Sequence, residues 1–100
     1  MINFIKSFFA SSSNEKIQEW RNMGAVILDV RTEQEFAAGC VEGARNIPVQ
    51  VLAKRINEVV KWKKPVIVCC AAGVRAAQAQ RMLEAKGVEV INAGSWRSLC

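Results

Sequence analysis

The stretch Cys70-Ala71-Ala72-Gly73-Val74-Arg75 places a thiol, small residues and a guanidinium close together, directly after the apolar run Val66-Ile67-Val68-Cys69. Small Ala71 and Ala72 and flexible Gly73 let the backbone curl until several N–H groups converge on one point, which is an anion-binding nest. The Cys70 thiol stands at the centre of that curl. Val74 to about Lys86 is rich in Ala, Gln, Arg, Met and Leu, all strong helix formers, so a helix N-terminus follows at once. That terminus and Arg75 add positive potential, and both favour a thiolate. The expectation is a cysteine nucleophile in an N–H cradle.

Composition narrows what such a nucleophile can do. The sequence has no His and no Tyr, which excludes Ser-His-Asp and Cys-His catalysis and His-dependent zinc hydrolysis. Sulfur transfer needs no His. A thiolate takes sulfane sulfur from a donor anion, holds it as a persulfide and passes it to an acceptor nucleophile. The N–H cradle then stabilises the persulfide anion as an oxyanion hole stabilises oxygen charge. A formal net charge of +5 favours anionic ligands or acidic partners without choosing among them. Cys40, Cys69, Cys70 and Cys100 match neither a disulfide framework nor a paired zinc pattern. Free thiols in a reducing, cytoplasmic setting are expected, with no metal and no cofactor.

The elements that must position Cys70 are legible from periodicity. One hundred residues, 51% of them hydrophobic, suffice for one packed domain and leave no room for a second. Residues 1–12 are read as a flexible N-terminal segment and 13–100 as the domain. Met1–Phe9 is too short to span a bilayer and carries its Lys6 inside the apolar part. It is read as an amphipathic segment, with cleavage after Ala10 as the alternative.

Ser12 and Glu15 have capping-box spacing, so a helix follows with Ile17, Trp20 and Met23 as its apolar stripe and Gly24 as its stop. Ala25–Val30 is a short apolar run of the kind that forms a strand buried on both faces. Thr32 and Glu35 repeat the capping-box spacing and predict a helix over Glu33–Ala38, stopped by Gly39. A brief strand over Ala44–Ile47 ends at Pro48. Val51, Leu52, Ile56, Val59 and Val60 then sit at helical spacing up to about Lys61. Pro65 opens the strand that reaches Cys70, and Val88–Ile91 supplies a last strand. Strands alternating with helices give an α/β domain, whose ligands lie at the carboxyl ends of its strands.

Four segments carry a family resemblance: Leu28-Asp29-Val30-Arg31 with Glu35-Phe36, Gly39 to Pro48, Val68 to Arg75, and Asn92-Ala93-Gly94-Ser95-Trp96. Together, from about Ile17 to Trp96, they resemble a single-domain rhodanese. The resemblance implies a compact α/β fold with a central parallel sheet flanked by helices. It also implies a catalytic Cys70 that cycles through a persulfide, in a loop whose amides from Ala71, Ala72, Gly73 and Val74 bind the sulfur and which Arg75 closes. Asp29 and Arg31 occupy positions that brace the site, and Trp96 lines its mouth or packs beside it. The implied partners are a small anionic donor such as thiosulfate, or a persulfide, and a thiol, cyanide or protein-thiol acceptor; nucleic acid and membrane are not implied.

The sequence departs from the family's usual His-x-Pro-Gly-Ala, reading Cys40-Val41-Glu42-Gly43-Ala44, and Ala71 and Ala72 stand where the loop commonly carries basic or polar residues. Weak thiosulfate turnover is expected in consequence, with a protein persulfide or a small thiol as the natural donor or acceptor.

Two other functions fit parts of the pattern. Cysteine phosphatases and arsenate reductases resemble Cys-x5-Arg, whereas Cys70 to Arg75 is Cys-x4-Arg, and no Asp follows Asp29 to act as general acid. A non-catalytic binding module would keep the fold, but an intact Cys70 counts against it. Neighbouring strand residues face opposite ways, so Cys69 should face the core. Cys40 and Cys100 are read as surface thiols, with a resolving role at Cys70 as the alternative. Lys61, Lys63 and Lys64 around Trp62 are read as a solvated turn.

Overall fold

Each strand of the sheet is an apolar run whose successive side chains serve two different layers. The computed structural model describes residues 13–100. The separate segment at 1–12, cleavage at Ala10 and the capping role of Ser12 lie outside the described residues. The elements are α1 (Ser13–Asn22), β1 (Val26–Asp29), α2 (Glu33–Ala38), β2 (Arg45–Asn46), α3 (Val49–Trp62), β3 (Val66–Cys70), α4 (Val74–Glu84), β4 (Val90–Ser95) and a 3-10 helix (Trp96–Leu99). All strand pairs are parallel, in the order β2-β1-β3-β4.

Leu28, Val66, Val68 and Cys70 point to the face covered by α3 and α4, where they meet Leu52, Ile56, Val59, Ala76, Ala79 and Leu83. Ile27, Ile67 and Cys69 point to the other face, against Ile17 of α1 and Leu99. Burying both faces of β3 explains why its run is unbroken rather than alternating. The fold is the expected α/β architecture, a parallel sheet between helices.

Differences from the sequence reading lie at edges. Met23 is 64% exposed and Val51 36%, so neither belongs to the apolar stripe assigned to it. The last strand runs from Val90 to Ser95, not from Val88 to Ile91. Its second half, Asn92-Ala93-Gly94-Ser95, has no apolar periodicity of its own and is extended because β3 pairs with it. Val68 pairs with Asn92 but Cys70 with Ser95, so β4 carries one extra residue, a bulge at the height of the Cys70 loop. The 3-10 helix that follows was not anticipated.

Candidate active site

Cys70 ends β3, at the carboxyl edge of the sheet, and its sulfur does the work of a helix cap. Helix α4 begins after Gly73, which has φ +106° and supplies no side-chain cap. The exposed donors of such a first turn need an acceptor. Cys70 Sγ provides it: the Gly73 N–H donates to the sulfur at 2.9 Å and the Ala76 N–H at 3.4 Å. Such donors, with the helix dipole behind them, hold negative charge on sulfur well.

Gly73 is needed for this turn, since its left-handed conformation is strained for other residues. The bulge in β4 supports the loop from beside it. The Asn92 side-chain amide donates to the Gly73 carbonyl at 3.1 Å, and its oxygen accepts the Gly94 N–H at 2.8 Å. Ala71, Ala72 and Val74 are exposed, Val74 at 79%, so the loop rim is apolar and uncharged while Cys70 itself is 1% exposed.

Arg75 lies in the first turn of α4, and its guanidinium is taken by Glu35, at 2.7 and 3.1 Å. Glu35 also completes the capping box of α2, accepting from the Thr32 N–H at 2.9 Å while Thr32 Oγ1 accepts the Glu35 N–H at 3.1 Å. One carboxylate thereby joins the start of α2 to the start of α4. The Arg75 hydrogen bond, followed by the Thr32 backbone, lowers the Glu35 carboxyl from 4.5 to about 2.

A carboxyl lowered in the folded state contributes stability that is complete above its unfolded value and is lost as the group protonates. Acidification from about 4.5 to about 2 is therefore expected to lower the urea midpoint through Glu35. Glu35→Gln should flatten that part of the profile. An unchanged profile in the variant would show that the pair contributes nothing to folding.

Asp29 and Arg31 form the buried brace. Arg31 Nε donates to both Asp29 oxygens at 3.0 Å, Nη2 donates to Oδ2 at 2.7 Å, and the Arg31 backbone N–H to Oδ1 at 3.0 Å. The guanidinium also donates to the Glu35 carbonyl at 3.2 Å and the Gly39 carbonyl at 2.7 Å. These bonds hold the α2 turn against β1. The hydrogen bonding by Asp29 raises the Arg31 pKa above its ordinary value.

Trp96 stacks on this brace, with the Arg31 guanidinium 4.4 Å from its ring centroid and Arg97 at 4.8 Å. Its ring edge comes so close to Gly39 that a Cβ there would lie 3.2 Å from it. A cleft of about 280 Å³ beside the loop is bordered by Arg31, Glu35, Ala71, Trp96 and Arg97.

Of the residues singled out in the sequence, Cys70, Gly73, Arg75, Asp29, Arg31 and Trp96 are thus gathered at one end of the sheet. The sequence assigned no role to the Ala76 N–H, to Glu35 as the partner of Arg75, or to the Asn92 side chain. The capping-box spacing marked Glu35 but carried no sign of its second bond.

Cys69 lies in the opposite core layer with 0% exposure, and burial, then Asp29, pushes its thiol up to about 12. Cys40 and Cys100 are free and exposed, and border a separate cleft with Arg21 and Leu99 on the Cys69 side of the sheet. Arg45 stacks on Trp62, 4.9 Å from the ring centroid, and the half-buried ring packs against the core layer under α3 and α4. Among the described residues no three or more His, Cys, Asp or Glu side chains cluster as metal ligands, and no helix is long and apolar enough to cross a membrane.

Comparison with known proteins agrees with this geometry. The chain is 33% identical over 81 residues to the thiosulfate sulfurtransferase GlpE of Ectopseudomonas mendocina, covering 81% of this chain and 73% of that protein. It is 41% identical over 69 residues to the uncharacterized protein YqhL of Bacillus subtilis, covering 68% of this chain but only 54% of the length of YqhL. Among solved structures, the human single-domain sulfurtransferase TSTD1 superposes with a TM-score of 0.68 at 28% identity, over 85% of this chain and 89% of that one. Residues 13–98 match the rhodanese-like domain, and with the parallel sheet and the loop at the end of β3 in place, the chain belongs to the rhodanese-like domain family.

Proposed function

We propose that this protein is a sulfurtransferase that carries sulfane sulfur on Cys70. The observation that carries the reading is the Cys70 sulfur seated under the Gly73 and Ala76 N–H groups at the start of α4. In the first step the Cys70 thiolate attacks the terminal sulfur of a donor. With thiosulfate the S–S bond breaks, sulfite leaves with the electron pair, and a Cys70 persulfide anion remains. In the second step cyanide or a thiolate attacks the outer sulfur and Cys70 leaves as thiolate. Sulfur and charge balance over the cycle, and no external oxidant or reductant is needed.

The Gly73 and Ala76 N–H groups hold the charge on Cys70 Sγ as it attacks and as it leaves as thiolate, and the near-complete cover over Cys70 limits access to a slender terminal sulfur atom. The four cysteines are free thiols, which suits a reducing, cytoplasmic setting. The loop rim itself, uncharged at Ala71 and Ala72, offers thiosulfate no ionic contact, and a persulfide carried by a protein or a small thiol fits it as donor too.

The test is intact mass after incubating the reduced protein with a sulfane-sulfur donor. An added mass of one sulfur atom that is removed by cyanide and missing in Cys70→Ser is the expected result. Phosphate-ester hydrolysis without that adduct would point to a cysteine phosphatase, and no adduct with any donor on a folded protein would point to a binding module.

A further inference from the structure

We propose that Arg97 recognises the anionic head of the sulfur donor, a specificity role that rests on the sulfur-transfer reading of Cys70. The argument is one of charge and its placement. Three charged side chains border the cleft beside the Cys70 loop, and two of them are neutralised by partners outside it: Arg31 by Asp29, and Glu35 by Arg75. The loop's own cation is therefore spent on a carboxylate, and Ala71 and Ala72 bring no charge. Arg97 is exposed and borders the same cleft as Ala71, the residue next to Cys70. Among the described residues its guanidinium has no carboxylate partner. It lies 4.8 Å from the Trp96 ring centroid. Trp96 is itself held by the Arg31 brace, so the cation stacks on a fixed platform and loses little freedom on meeting an anion.

A donor of the thiosulfate type has a terminal sulfur at one end and an oxyanion head at the other. With its sulfur directed at Cys70, the head is left outside the loop, in the cleft that Arg97 borders. Nucleophile and donor are both negative, and Arg97 offsets their repulsion. The head is anionic in the bound donor and takes up the electron pair as the S–S bond breaks, so the guanidinium acts both on binding and on the chemical step.

Steady-state kinetics with thiosulfate as donor and cyanide as acceptor test this in the full chain, comparing wild type, Arg97→Gln and Arg97→Lys. The Gln variant is expected to lower kcat/KM for thiosulfate on the order of 5-fold, the scale of one exposed charged contact. The Lys variant should recover part of the loss. The difference between wild type and Gln should shrink as salt approaches about 1 M. An unchanged kcat/KM for thiosulfate in a folded Arg97→Gln that still gains the cyanide-labile sulfur on Cys70 overturns the role of Arg97 and leaves sulfur transfer standing. Absence of the adduct on the wild type overturns both.

Discussion

Cys70→Ser is expected to reduce cyanide-dependent sulfur transfer by roughly a thousand-fold or more, because no other group near the cradle can carry the sulfur. The informative control is Cys69→Ala, one residue away. Cys69 faces the opposite core layer with its thiol raised to about 12, so it stays protonated at neutral pH. Turnover in that variant should stay close to wild type. Steady-state assays on both variants, with circular dichroism to verify folding, separate the two adjacent thiols. Full activity in Cys70→Ser would end the persulfide reading, and comparable losses in both variants would assign the effect to packing.

Asp29→Ala is expected to cost on the order of 3–5 kcal/mol of folding stability, measured by urea denaturation at neutral pH. Arg31 is 4% exposed and Asp29 0%, so removing the carboxylate strands a buried cation. A loss of that size is a large fraction of the stability of a domain this small. The double variant Asp29→Ala with Arg31→Met removes the stranded charge and should recover much of the loss. Arg31 also holds the Gly39 and Glu35 carbonyls and supports Trp96, so the single variant should loosen the cleft beside the loop as well as the core. A loss below about 1 kcal/mol would show that the pair is weakly coupled to folding.

Arg75 illustrates how far residue types carry a reading. Its position after Gly73 marked it as the cation that closes the loop, and the structure does place it at the loop's end. Its guanidinium, however, faces Glu35 across 40 sequence positions. A capping box is visible as spacing, whereas a bond between two helix starts exists only once the sheet has brought α2 and α4 together. Arg97 is the converse case. Nothing in Ser95-Trp96-Arg97 distinguishes it from a solvated residue until the 3-10 turn stacks it on Trp96 and sets it beside Ala71.

The local rules did predict the strand ending at Cys70, the capping box at Thr32 and Glu35, the turn at Gly73 and the opposite facing of Cys69 and Cys70. Each depends on period, capping or backbone freedom over a few residues, and so is written in the chain's order. The shape of β4, the bulge at Ala93 and Gly94, the pairing that neutralises Arg75 and the stacking of Arg97 on Trp96 were decided by tertiary contact. Those features come from groups far apart along the chain, and their charges and hydrogen bonds find partners only after the layers close.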